Sequence, residues 1–218
     1  MSYLAEVLTR RLVSPYDASS LSNKMRRKRW QMFLAVFPEL PDMHVLDIGG
    51  DARAWRTSGV RPAHVTLLNL ADQEIEEPWM TAIVRDACES LEGLPKADLV
   101  YSNSVIEHVG GHWRRERFAE GIRDMGPRYW VQTPYRYFPI EPHFLFPGLQ
   151  YLPKAAQAAA ITRWPIGNYR RVQARKQALK SAMDIELLSI SELGVYFSDA
   201  SIRKEKVLGL TKSIIAVR

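Results

Sequence analysis

Apolar and polar residues change period several times along the 218-residue chain. Leu4, Val7, Leu8 and Leu12 recur at helical spacing until Pro15 breaks the pattern. A second helical stretch runs from about Leu21 to Phe37 and is stopped by Pro38, with Leu21, Met25, Met32 and Val36 on one side and Phe33 at its margin. After Pro41 the period shortens. HVLDIGG (44–50) is a short apolar run that ends in glycines, the pattern of a buried strand and a tight turn. HVTLLNL (64–70), TAIVRDA (81–87), ADLVYSNS (97–104) and RYWVQTP (128–134) predict four more strands, with a helix over Trp113–Met125. Continuous apolar runs separated by helices or loops indicate a parallel sheet covered on both faces. The last eighteen residues read as two antiparallel strands joined by a turn at Gly209. The expected fold is therefore α/β: a Rossmann-like, doubly wound, mostly parallel sheet with an antiparallel C-terminal strand pair.

Between the fifth strand and that pair the pattern changes. Pro139, Pro142, Pro147, Pro153 and Pro165 interrupt a stretch crowded with aromatics. It is too long for an ordinary connection, so an acceptor-site insertion or lid is expected over about 135–180. The domain reading is an N-terminal helical segment (1–40) capping the site and one main domain (41–218), in keeping with about 150 residues per domain. A hydrophobic fraction of 46% against 25% charged residues excludes a wholly disordered chain or a fibre. The single cysteine, Cys88, excludes an intramolecular disulfide and a multi-cysteine zinc site, and reads as a packing residue. No apolar run approaches the roughly 18 residues of a membrane span. Glu6 and the arginines beside it interrupt any signal-peptide core, so a cytoplasmic protein is expected.

The chemistry gathers at strand ends, where open α/β sheets bind ligands. Gly49 and Gly50 let the backbone approach a ligand, and Asp47 at the end of the first strand can hold an ammonium group or a water. The dinucleotide pattern G-x-G-x-x-G is absent. Asn69 lies 22 residues after Asp47, where a ribose-diol partner belongs. Asp86, placed at the end of the third strand, can accept from an adenine amino group. For each the plainer alternative is a turn residue or helix cap.

In VLDIGGDARAW, RDACESLEGLPKADLVYSNSVIEHV, TPYRYFPIEPHFLFP and LGVYFSDASIRKEKVLGLTKS the chain resembles class I S-adenosylmethionine-dependent methyltransferases, of the bacterial type found among sugar and polysaccharide O-methyltransferases. The resemblance spans about residues 25–218. It implies S-adenosylmethionine as cofactor and S-adenosylhomocysteine as product. It implies Asp47, Gly49 and Gly50 at the methionine part, Asn69 at the ribose, Asp86 and Ala87 at the adenine, and Ser102 and Asn103 beneath the sulfonium. Asn69 departs from the acid that many members carry there. Arg27 or Arg29, in KMRRKRW (24–30), can meet the cofactor carboxylate, or face solvent on the helix.

A hydroxyl acceptor needs a base near the carboxyl edge of the sheet. His143 is the favoured base, Glu141 its orienting partner two residues away on the same side of an extended segment, and His108 a shaper of the pocket or a helix cap. Glu141 and His143 offer a fragment of a Mg²⁺ site, but without a dense acid cluster no metal is expected. Tyr135, Tyr137, Phe138, Phe144 and Phe146 form either a stacking surface or lid core. Thirty basic against twenty-four acidic residues give +6, concentrated at 24–29 and 163–180. That excess suits phosphate contacts, yet no RNA-binding module or base-methylation motif appears, so nucleic acid is not the expected partner. The expected activity is O-methylation of a small-molecule or oligosaccharide acceptor. An RNA methyltransferase, a lipid or polyketide methyltransferase, and a non-catalytic cofactor-binding protein remain as alternatives. The oligomeric state is open, and a homodimer is compatible.

Overall fold

Seven strands form one sheet in a computed structural model that describes residues 21–163 and 174–218. The helix expected over 4–12 and the centre of the second basic cluster lie outside those residues. The strands are β1 (His44–Ile48), β2 (His64–Asn69), β3 (Met80–Val84), β4 (Leu99–Asn103), β5 (Arg128–Pro134), β8 (Ser201–Val207) and β9 (Leu210–Val217). Their order is β3-β2-β1-β4-β5-β9-β8. The first five are parallel, β9 runs antiparallel to β5, and β8 antiparallel to β9. The expected fold class is the observed one. The strand order reverses between β1 and β4, and such a switch point opens a crevice at the carboxyl ends of the strands.

Two apolar cores sandwich the sheet. On one face α1 (Leu21–Val36) and α2 (Ala52–Ser58) cover Val45, Val65, Leu67, Trp130 and Ile215. On the other, α3 (His112–Met125) and α6 (Ile190–Tyr196) cover Leu46, Ile48, Val100, Val131 and Ile214. Cys88 lies in this second core, as a packing residue should. The expected span of α1 matches, but the buried face does not. Trp30, Phe33 and Phe37, at i, i+3 and i+7, are the fully packed positions, while Met25, Met32 and Val36 are half-buried. The rings win because they bury more area. Trp30 stacks on Tyr101 at 5.6 Å, and Phe33 meets Tyr101 and Trp130 edge-on.

The region after β5 builds a third core. A short hairpin, β6 (Ile140–Glu141) and β7 (Phe146–Pro147), leads into α4 (Lys154–Arg163) and α5 (Arg175–Met183). Phe144, Leu149, Ala158, Ile161, Ala178 and Leu187 are buried together there. Phe144 and Phe146 are therefore insertion core, whereas Tyr135, Tyr137 and Tyr151 form a partly exposed ring series. The Lys154 ammonium donates to the carbonyls of Ala182 and Ile185, satisfying backbone at the end of α5. Sequence reading missed α2, α4, α5 and α6. The last had a visible signal, the capping box in which Ser189 Oγ accepts from the Glu192 N–H and Glu192 accepts from the Ser189 N–H. Among the described residues no helix is long and apolar enough to cross a membrane.

Candidate functional site

The parallel register pairs Asp47 with Tyr101 and Ile48 with Ser102, so the turn after β1 emerges beside Asn103. Gly49 has φ +75°, a conformation that favours glycine, and a Cβ there would run into Val105. A Cβ on Gly50 would strike the Asp47 carboxylate. Both glycines are thus required by close approach. The turn is then pinned from two sides. Asn69 Nδ2 and Gln73 Nε2 donate to the Gly50 carbonyl at 3.0 and 2.8 Å, and Gln73 Oε1 accepts from the Ala52 N–H. Gln73 went unnoticed in the sequence, since it belongs to no motif, and Trp55, which closes the VLDIGGDARAW stretch, was given no role there.

A cleft of about 530 Å³ opens over this turn, lined by Arg26, Arg27, Arg29, Trp30, Asp47, Gly49, Gly50, Tyr101 and Asn103 among others. Its size lies within the range of small-molecule sites. Asp47 forms its buried floor. Burial pushes the carboxyl pKa up to about 7, against the opposing hydrogen bond donated by Trp55 Nε1 at 2.7 Å. Arg29 is committed elsewhere: it donates to Asn103 Oδ1 and to Glu205 Oε2, each at 2.8 Å, tying α1 to β4 and β8. Of the two candidate arginines, Arg27 is exposed on the cleft wall.

Asp47, Gly49, Gly50 and Asn103 therefore meet in one cleft, with Asn69 bonded to its glycine turn. The others stand apart from its lining. Ser102 is buried, and its hydroxyl donates to the Ile48 carbonyl. β3 ends at Val84, so Asp86 and Ala87 lie in the following turn rather than on the strand. Asp86 accepts from Arg114 at 2.6 Å and caps the Cys88 N–H. Burial raises its pKa, but Arg114 and the Cys88 amide outweigh this and hold the carboxyl below its usual range.

A second group sits at the ends of β4 and β5. Glu107 is buried, one oxygen accepting from the Thr133 hydroxyl at 2.9 Å. Burial raises its pKa to about 7. Ser104, which starts this loop, has φ +61°, costly for a residue with a Cβ. His143 Nδ1 meets Glu141 Oε1 at 2.8 Å, and Glu141 Oε2 accepts from the Phe144 N–H. The expected pairing is present, but by another route: His143 lies in the β6–β7 turn, not in an extended segment. His108 joins them, its ring edge-on to His143 with centroids 4.9 Å apart. Glu107 was overlooked beside His108, although an acid–histidine pair just after a strand was there to see.

Glu141 also borders a cavity of about 440 Å³ under the insertion, whose walls include Arg115, Arg136, Gln150, Lys154 and Glu192. Glu141 thus belongs both to the histidine cluster and to the wall of the polar cavity.

No protein-family model matches the chain, and no curated protein does. Solved structures resemble it in fold. The N-methyltransferase NodS from Bradyrhizobium japonicum, with S-adenosylhomocysteine, aligns over 97% of this chain and 95% of its own, with TM-score 0.55 and 11% identity. Magnesium protoporphyrin IX methyltransferase from Synechocystis, also with bound S-adenosylhomocysteine, aligns over 89% and 84%, with TM-score 0.52 and 12% identity. An O-methyltransferase family protein from Burkholderia thailandensis aligns over 98% and 66%, with TM-score 0.51 and 11% identity. The chain shares the fold of S-adenosylmethionine-dependent methyltransferases.

Proposed function

We propose that the protein is an S-adenosylmethionine-dependent O-methyltransferase whose acceptor is a hydroxyl of a sugar or oligosaccharide. The observation that carries the reading is the cleft at the β1–β4 switch point. A buried carboxyl and a turn that tolerates no Cβ lie there, and Val105, packed against that turn, leads within two residues to a cluster able to draw a proton from a hydroxyl. In this reading Asp47 faces the cofactor ammonium and the glycine turn its methionine part. Asn69 serves the ribose, Asn103 the sulfonium side and Arg27 the carboxylate; Ser102, its hydroxyl bonded to the Ile48 carbonyl, supports the sulfonium side from behind, and Asp86 and Ala87 serve the adenine where the ligand runs past the cleft lining.

In the transfer, an acceptor oxygen lone pair forms the new C–O bond as the methyl C–S bond breaks. The C–S electron pair returns to sulfur, which becomes neutral, and the hydroxyl gives up its proton beside the Glu107–His108–His143 cluster. Alignment of oxygen and methyl supplies roughly 7–11 kcal/mol of the barrier reduction, and proton removal roughly 10²–10⁴-fold. The cavity under the insertion favours a hydroxyl-rich acceptor over a lipid or polyketide, because two buried groups on its wall, Arg115 Nε and Gln150 Oε1, have no hydrogen-bond partner among the described residues.

Calorimetric titration with S-adenosylhomocysteine, followed by a methyl-transfer screen over mono- and oligosaccharides, tests the reading. Failure to bind S-adenosylhomocysteine sinks it. His143→Ala is expected to lower turnover by at least about a hundredfold with cofactor affinity unchanged. Unchanged turnover would remove the cluster from the reaction.

A further inference from the structure

Three ligating atoms converge beside the cleft in a way that hydrogen bonding within the chain leaves unfinished. Glu107 Oε1 is buried and has no hydrogen-bond partner among the described residues, while its sister oxygen is held by Thr133. A buried carboxylate oxygen without a donor or cation is costly. The nearest basic atom, His143 Nε2, is 4.0 Å away, beyond hydrogen-bond range. Both histidines have Nδ1 occupied by an acceptor: His143 by Glu141 Oε1 at 2.8 Å and His108 by the Asp184 carbonyl at 3.2 Å. With the ring proton on Nδ1, each Nε2 presents a free lone pair. One ligand atom from each of Glu107, His108 and His143 lies within 4.8 Å of the others.

We propose that Glu107, His108 and His143 form a divalent transition-metal site whose open positions take oxygens of the acceptor. Two donors bonded at about 2.1 Å to one ion lie at most about 4.2 Å apart, and the 4.0 Å between His143 Nε2 and Glu107 Oε1 is inside that limit. Two imidazoles and one carboxylate suit Mn²⁺, Fe²⁺, Co²⁺ or Zn²⁺, whereas Mg²⁺ prefers an all-oxygen shell. Glu141, which looks in sequence like a ligand beside His143, stands one layer further out. It fixes the ring and its tautomer, as carboxylates behind metal-bound histidines do.

Three protein ligands leave positions for substrate. Val105, which lies against Gly49, is two residues before Glu107, so the ion and the glycine turn share one loop. An acceptor hydroxyl bound to the ion becomes more acidic and loses its proton to solvent water without any change of oxidation state. The ion then takes over what a free imidazole base would do. The acceptor half of this proposal rests on the methyltransferase reading, and the ion site does not.

The whole chain, stripped with a chelator, is titrated calorimetrically with Mn²⁺ and separately with Mg²⁺. One Mn²⁺ per chain is expected, with much weaker Mg²⁺ binding. Glu141→Gln should weaken Mn²⁺ roughly tenfold to a hundredfold, and Glu107→Gln and His143→Ala by more. S-adenosylhomocysteine affinity should persist in all three variants, which also checks their folding. Absence of saturable Mn²⁺ binding overturns the proposal, as does binding that Glu107→Gln and His143→Ala leave unchanged. Mn²⁺ binding with methylation indifferent to chelator overturns the acceptor half. Mn²⁺ binding without S-adenosylhomocysteine binding upholds the ion site and overturns the methyltransferase reading instead.

Discussion

Asp47 couples the cleft to pH. Its pKa of about 7 comes first from burial, against a single strong donor, Trp55. In the free protein the carboxyl is therefore largely protonated below pH about 7, whereas an unfolded chain releases that proton near the ordinary carboxylate range, about 4. The folded state binds the proton more tightly, so stability of the free protein falls as pH rises from about 4 to about 7, then levels. A bound ammonium reverses the preference by stabilising the carboxylate. S-adenosylhomocysteine binding is then expected to expel a proton, and its affinity to rise about tenfold between about pH 6 and pH 8. Asp47→Asn should abolish that slope. Calorimetry in two buffers of different ionisation enthalpy measures the proton directly, and a flat profile in the unsubstituted protein would contradict the assignment. Asp47, Gly49 and Gly50 were legible in the sequence because one short motif holds the strand, turn and acid together. Glu205, which anchors Arg29 from 176 residues away, was not. No local pattern records such a pairing.

Elements were legible where one period persisted. β1, β2, β4, β5 and the C-terminal hairpin lie within a few residues of expectation, and so does α3. The face of α1 was not, because a helical wheel counts apolar positions while the sheet selects the ones whose rings fit against Tyr101 and Trp130. In the insertion, prolines and aromatics signalled irregularity, but α4 packs through alanines, which carry little hydrophobic contrast. The hairpin turn shows what local chemistry can still improve. Val207 pairs with Leu210 across Leu208 and Gly209, which have φ +50° and +82°. Two positive φ values belong to the turn that prefers Asn-Gly. Leu208 pays the left-handed penalty of a branched side chain and is 98% exposed, so it returns no packing. Leu208→Asn is therefore expected to stabilise the protein by about 1 kcal/mol, raising the thermal midpoint with no change in S-adenosylhomocysteine affinity. A lowered midpoint would mean that Leu208 has a partner the fold does not reveal.

The whole molecule divides its labour between two cores around the sheet and a third in the insertion. The +6 charge does not oppose this division: Arg29, Arg114, Arg115, Arg128 and Arg136 are each paired with an acid. These five pairs are neutral and hold elements together, so the arginines in them are not part of a polyanion track. If the cleft over the glycine turn takes the cofactor and the insertion takes the acceptor, the two ligands should leave separate footprints. That cleft is bounded by the turn after β1, the end of β4 and residues 26–30 of α1. The insertion core shares Phe144, Ile185 and Leu187 with the wall of the polar cavity and none of its residues with the cleft. Hydrogen–deuterium exchange with saturating S-adenosylhomocysteine is expected to slow amides over 47–55 and 101–105 and to leave 154–161 and 178–187 unchanged. Opening of α4 and α5 depends chiefly on their own core, so a ligand bound at the sheet gives them no added protection. Protection concentrated in the insertion instead would exchange the two roles, placing the cofactor under α4 and α5 and freeing the β1–β4 crevice for the acceptor.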